Sequence, residues 1–394
     1  MYLTENHFIN KNDERYKIID ELCFLSKNLY NATLYDIRQY YFENKKFKHY
    51  NQVINDFRKN DNIDFRRLPS KIAAEVCKQV GLNFISFFNN KTNKNKRIPK
   101  YLDKKGRNAL RFNKQTISKN FDKNKDIYTY TLCKKDLNLK IKSKIQNIQY
   151  IEIHQKYDSY NIKIVYKVEE NKIKKNDNIA AIDLGINNIA AIAFNNGQSI
   201  LINGKPIKSI NQYYNKKVAK MKSLLPKNIY TSKNIKKLTK KRNNKIDYEL
   251  HKISKEIVNQ LVSKNTSLLI IGYNQGWKQD INIGKVNNQK FVNIPYLKLI
   301  NYITYKSKLK GIEVIINEES YTSKCSFLDK EEIKKKDEYV GKRIKRGLFR
   351  TKNNLLINAD INGAFNIMRK VVSNDMIYSN EIEGFVISPL CFSF

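Results

Sequence analysis

Cysteine is sparse in this chain. Cys23, Cys77, Cys133, Cys325 and Cys391 stand far apart, and no two form a CxxC pair. An odd, scattered set excludes a disulfide framework and a complete zinc cage. No apolar run approaches the roughly 20 residues that a membrane helix needs. The opening Met1-Tyr2-Leu3-Thr4-Glu5 lacks the basic and then apolar pattern of a secretion signal. A reduced, cytoplasmic protein is expected. Acidic residues are few as well: 37 Asp and Glu face 75 Lys and Arg, a net charge of +38. A codon bias toward Lys and Asn explains Lys over Arg, but not the shortage of acids. So large a surplus repels itself in a compact fold, and it calls for a polyanionic partner, usually nucleic acid.

With 41% apolar residues in 394, the chain is long enough for two or more domains with cores. Ile18, Ile19, Leu22, Leu25, Leu29, Leu34 and Ile37 recur at near-helical spacing and predict a helix over 14–45. Pro69 opens a second helix from Ser70 to about Phe88, with Ile72, Val76, Val80 and Phe84 on one face. Residues 89–107 read as a basic loop. From 109 to 168 the pattern turns to short strands at 109–113, 127–133, 148–153 and 159–167. A polar linker, Glu169 to Asp177, marks the main boundary. Beyond it, Ile179–Leu184, Asn188–Phe194 and Ser199–Asn203 predict an antiparallel meander. A very basic helical pair spans 210–262. A strand at Ser267–Ile271, a helix at Pro295–Leu309, a strand at Ile312–Ile316 and a helix at Asn358–Val371 follow. That order of elements is the RNase H-like order, an α/β layered fold.

Metal-dependent phosphodiester cleavage in such a fold needs carboxylates converging on one sheet edge, where two magnesium ions would sit about 3.5–4 Å apart. Hard cations take oxygen ligands. Asp183 lies in an otherwise apolar strand, Ala180-Ala181-Ile182-Asp183-Leu184, where a carboxylate is costly unless ligated or at an edge. Asp360 stands in the first turn of the last helix. The helix dipole alone would favour an acid there, but Gly363 and Ala364 one turn later predict close packing that aims Asp360 at the first strand.

The chain resembles the TnpB family, transposon-encoded RNA-guided nucleases also known as OrfB-type transposases and related to the type V CRISPR effectors. Four segments carry the resemblance: Asp183-Leu184-Gly185-Ile186-Asn187-Asn188-Ile189-Ala190; Tyr321-Thr322-Ser323-Lys324-Cys325-Ser326; Asn358 to Ile367; and, toward the N-terminus, Ser26-Lys27-Asn28-Leu29-Tyr30-Asn31 with Leu68-Pro69 and Phe84 to Phe88. The resemblance implies a C-terminal RuvC-like domain over 178–394, containing the basic helical insertion 210–262 and a degenerate zinc-ribbon insertion 325–350. It also implies a β-rich wedge domain from 1–13 and 108–172, with a helical recognition insertion at 14–107. The implied partners are a guide RNA from the transposon end and double-stranded target DNA bearing a short adjacent motif. The implied cofactor is magnesium.

The sequence departs from the family twice. The glutamate that ends the middle RuvC strand is replaced by Gly272, in Leu268-Leu269-Ile270-Ile271-Gly272-Tyr273. The next strand ends in Asn317-Glu318-Glu319-Ser320. If it lies parallel and beside the Gly272 strand, Glu318 or Glu319 opens on the same edge and can take the vacated role. Cys325 stands without the family's second cysteines, so no zinc is expected. The catalytic set is therefore Asp183, Asp360 and either Glu319 or Glu318. Candidate phosphate contacts are Lys100, Lys104, Lys105 and Arg107 in the loop, and Lys236, Lys237, Lys240, Lys241 and Arg242 in the helical pair. Tyr35, Arg38 and Tyr41 are candidates for DNA bases. Trp277 reads as core. Two other readings stay open: an RNA-guided DNA-binding protein that no longer cuts, and a DNA transposase.

Overall fold

The structure, a computed structural model, describes residues 1–90, 97–135, 137–274, 293–345, 347–377 and 389–392. The chain divides into two compact units, Met1–Val168 and Glu169–Phe394. Among the described residues no helix is long and apolar enough to cross a membrane. Trp277 lies outside the described residues.

The first unit begins with a strand, β1 (Tyr2–Ile9), that apolar alternation does not announce. Its inward positions are Leu3, Glu5, His7 and Ile9. Two of these are ionisable, and they satisfy each other: the His7 ring lies 2.5 Å from Glu5. Four helices follow: α1 (Tyr16–Asn44), α2 (Tyr50–Lys59), α3 (Ile63–Arg66) and α4 (Ser70–Asn89). Ile19, Leu22, Leu29, Leu34 and Ile37 of α1 are buried, as are Ile72, Val76, Val80 and Phe84 of α4. Glycine is required at 81 because a Cβ there would stand 2.6 Å from the ring of Tyr50.

Six strands come next: β2 (Leu110–Asn113), β3 (Ile117–Asp122), β4 (Ile127–Leu132), β5 (Leu139–Ser143), β6 (Ile148–Lys156) and β7 (Ser159–Lys167). They form two sheets, ordered β1-β7-β6-β2 and β3-β4-β5. The stretch read as four strands therefore holds six. β3 is mostly exposed, and it pairs through its backbone without an apolar face to betray it. β7 is buried at most positions rather than at alternate ones, since it lies between β1 and β6.

The second unit is built on a six-stranded sheet. It comprises β8 (Ile179–Asp183), β9 (Asn188–Phe194), β10 (Ser199–Asn203), β11 (Leu268–Gly272), β12 (Glu313–Asn317) and, at the far edge, the short strand Leu390–Phe392. β8, β9 and β10 form the antiparallel meander. β11 runs parallel to both β8 and β12. Between β10 and β11 lie α5 (Lys205–Ser223) and α6 (Lys233–Ser263), and α7 (Tyr296–Lys308) precedes β12. A three-stranded sheet of β13 (Lys342–Lys345), β14 (Leu348–Arg350) and β15 (Leu356–Asn358) leads into α8 (Ala359–Arg369).

Side-chain parity sorts the sheet into two faces. Ala180 and Ile182 join one core with Ile253 and Ile257 of α6 and Leu299 and Ile303 of α7. Ile179, Ala181 and Ile270 join the other with Ile361, Ala364, Phe365 and Ile367 of α8. Asp183 continues the second series. So does Gly272, two residues past Ile270. Both positions therefore face α8 at the same end of parallel strands.

Candidate active site

β8 delivers Asp183 to the carboxyl end of the sheet. α8 lies across that end, and its first turn is set by Asn358, whose Oδ1 accepts from the N–H groups of Asp360 and Ile361 at 2.9 and 3.2 Å. The close approach depends on a missing side chain. A Cβ on Gly363 would stand 2.7 Å from Asp183 Oδ2. The packing signal read from Gly363 thus has its physical cause in the carboxylate itself.

The third acid comes from the turn after β12. The Glu319 N–H donates to Asn274 Oδ1 at 2.9 Å, and the Tyr273 N–H donates to the Asn317 carbonyl at 2.9 Å, so this turn is fastened to the end of β11. Thr322 closes it by donating from Oγ1 to the Glu319 carbonyl at 2.8 Å. Glu319 Oε2 lies 2.8 Å from where a Cβ on Gly272 would stand, and Ile367 of α8 fills the rest of that space. Glu319 therefore occupies the volume that a side chain at 272 would need. Its Oε2 is buried without a hydrogen-bond partner. Glu318, the alternative, faces away: it is exposed and ion-pairs with Lys370 at 3.4 Å.

Asp183 feels the other two carboxylates. Asp183 is held well above the ordinary carboxylate range, first by burial, then by the charges of Glu319 and Asp360. Arg343 and the Leu184 N–H act in the opposite direction. Burial likewise raises Glu319 to about 7, opposed by Lys370 and assisted by Glu318. Tyr296, whose hydroxyl donates to the Gly185 carbonyl at 2.9 Å, is pushed upward by burial and by the charges of Asp183 and Glu319.

These acids form an all-oxygen set suited to a hard cation such as magnesium, and the desolvated, unpartnered carboxylate oxygen on Glu319 fits a cation ligand. Asp360 is turned elsewhere. Its Oδ2 accepts from Asn188 Nδ2 at 2.8 Å, and its Oδ1 lies 3.5 Å from Arg343 Nη2. Accordingly, among the described residues no three His, Cys, Asp or Glu side chains are already gathered closely enough to hold a metal ion. The sequence reading missed Arg343. Nothing in Gly341-Lys342-Arg343-Ile344-Lys345 distinguishes it from its basic neighbours. It missed the role of Asn188 as well, although that residue lies within the quoted motif.

The basic candidates differ in exposure and in engagement. Lys236, Lys237 and Lys241 are exposed along α6, and Lys240 is half-buried. Arg242 is engaged internally: it donates to Asn211 Oδ1 at 2.6 and 2.8 Å and to the Asn293 carbonyl at 2.7 Å, tying α6 to α5. In the first unit, Lys100, Lys104 and Lys105 are exposed. Arg107 is held by Asp20 at 2.7 and 3.0 Å and lies over the Phe24 ring. The loop itself is pinned along α1, where Asn31 bonds both the N–H and the carbonyl of Leu102, and Lys27 Nζ donates to the Lys104 carbonyl. Tyr35 is 58% exposed. Arg38 lies over the rings of Phe42 and Tyr101, 5.6 and 5.0 Å from their centroids. Tyr41 packs on Phe88, with centroids 5.4 Å apart.

The segment around Cys325 is organised by a carboxylate. Glu331, with 1% of its side chain exposed, accepts from the N–H groups of Ser326 and Val340 at 2.8 and 3.1 Å and pairs with Lys336 at 3.3 Å. Cys325 is buried beside it, and Asn362 and Asn366 of α8 donate to the Cys325 carbonyl at 2.9 and 2.7 Å.

A family model described as a probable transposase matches residues 163–278. A second, described as a Cas12f1-like TNB domain, matches residues 296–367. Asp183 falls in the first, and Glu319 and Asp360 in the second. The TnpB-like protein ORF457 of Acidianus two-tailed virus is 25% identical over 230 residues, which is 55% of this chain and 46% of that one. The CRISPR-associated endodeoxyribonuclease Cas12f2 of a Micrarchaeota archaeon is 29% identical over 234 residues, 56% of this chain and 41% of that one. The match thus spans less than half the length of each of these relatives. A solved Cas12f1–sgRNA–target DNA complex shares the fold with a TM-score of 0.56 at 16% identity, covering 89% of this chain and 82% of that one.

Proposed function

We propose that this chain, which belongs to the TnpB family and is related to the type V effectors, is an RNA-guided endodeoxyribonuclease that cleaves target DNA with magnesium at Asp183, Glu319 and Asp360. One observation carries the reading: Glu319, with its unpartnered buried oxygen, stands in the space beside Asp183 from which Gly272 has withdrawn. A site that had lost its function would have no reason to keep a desolvated carboxylate there.

Asp183, Glu319 and Asp360 would hold the magnesium, which would supply polarisation of the scissile phosphate and of the attacking water. The protein's own groups prepare for this. Asn188 orients Asp360 through Oδ2. The fastened turn after β12 aims Glu319. Ile367 and the α8 core exclude solvent from one side of the cluster. The net charge of +38, with exposed Lys236, Lys237 and Lys241, suits a guide RNA and its target duplex, read through their backbones while base pairing supplies sequence.

The test is cleavage of a plasmid target by the chain purified with its RNA, with and without magnesium. Cleavage that needs both RNA and magnesium, and is lost in Asp183→Asn and Glu319→Gln, is expected. Binding to the target with no cleavage in the wild type would favour the non-cutting reading that Gly272 invites. Strand transfer without RNA would favour the transposase.

A further inference from the structure

We propose that Arg343 is a built-in counter-ion that holds the cation's place on Asp360 and must leave it when a divalent cation binds. The inference rests on the metal site described above.

Each oxygen of Asp360 has a neighbour. Asn188 donates to Oδ2, and the Arg343 guanidinium faces Oδ1. Glu319 Oε2, by contrast, has no partner. Of the two acids, one is screened by arginine and the other is held desolvated. The guanidinium is delivered by the hairpin that continues into α8. β13 pairs with β14, β14 pairs with β15, and Asn358 at the end of β15 caps the helix carrying Asp360. Arg343 is therefore fixed in register to the carboxylate it screens. Its side chain is also 47% exposed, so it can swing into solvent. Lys370, the cation that acts on Glu319, is occupied with Glu318 and with the carbonyls of Glu318 and Ser320.

A half-exposed pair is weak: breaking it changes an equilibrium by about two- to fivefold. That is enough to tune cation affinity without blocking it. A cation entering beside Asp360 meets a like charge until Arg343 withdraws, so affinity in the wild type is lower than the carboxylates alone would provide.

Manganese titration of the full chain, stripped of RNA, tests this directly. Arg343→Gln is expected to bind manganese roughly two- to fivefold more tightly than wild type. Arg343→Lys, which keeps the charge, should stay closer to wild type. Lys342→Gln, which removes the same charge from the same strand without touching Asp360, should not change affinity. Unchanged or weaker binding in Arg343→Gln overturns the proposal, as does an equal gain in Lys342→Gln. Asp183→Asn separates the two layers. If it leaves manganese binding intact, the metal site itself is wrong. If it weakens binding while Arg343→Gln changes nothing, only the counter-ion is wrong.

Discussion

Glu319 and Gly272 share one volume: the Glu319 carboxylate lies 2.8 Å from the point at which a Cβ on Gly272 would stand. An acid at 272 and an acid at 319 are therefore alternatives. A side chain at 272 would have to displace both Glu319 and Ile367. Gly272→Ala should lower stability by about 1–3 kcal/mol through overpacking, and it should lower cleavage by moving Glu319. Thermal unfolding and plasmid cleavage read the two effects. A variant as stable and active as wild type would remove the steric argument.

The adjacent glutamates should behave differently. Glu319→Gln is expected to reduce cleavage by more than the roughly 10–100-fold typical of an outer-shell partner. Glu318→Gln breaks only an exposed pair with Lys370 and should leave the rate nearly unchanged. Equal losses in single-turnover cleavage would mean that the two have been distinguished wrongly.

Gly363→Ala offers a sign test. Alanine in a helix interior normally stabilises by about 0.5–1 kcal/mol over glycine. Here the added methyl meets Asp183 Oδ2. Loss of both melting temperature and cleavage is expected, where propensity alone predicts a gain in stability.

Stability should depend on pH in an unusual direction. Burial raises Glu319 from 4.5 to about 7 and holds Asp183 well above its ordinary range. The folded state then keeps protons that the unfolded state has lost, so these acids make stability fall as pH rises from about 4.5 through 7. A divalent cation replaces those protons. Magnesium should therefore raise the melting temperature more at pH 8 than at pH 6. An equal rise at both, by calorimetry, would mean that the cation binds elsewhere.

Glu331→Ala removes the acceptor for the buried N–H of Ser326 and the part-buried N–H of Val340, and the partner of Lys336. A loss of about 3 kcal/mol is expected from stranding those groups. Denaturant unfolding measures it, with a zinc chelator leaving the wild-type curve in place.

The meander, the order of strands and helices, and the two aspartates are legible in the sequence because each rests on local pattern: apolar runs broken by turns, or an acid where neighbouring residues make one costly. β1 and β3 are not, since their inward or paired positions carry polar residues whose partners lie far along the chain. The basic residues show the same limit. Composition counts Arg107 and Arg242 with the exposed lysines, yet Asp20 engages one and Asn211 the other. Chain order, charge and the absence of an acid at 272 were determined by sequence alone. Tertiary structure decided where Glu318 and Glu319 point, because the turn after β12, fastened to Asn274, sends one carboxylate to Lys370 and the other beneath α8. It also brought Arg343 to Asp360, a contact between residues seventeen positions apart that only the β13–β14–β15 hairpin creates.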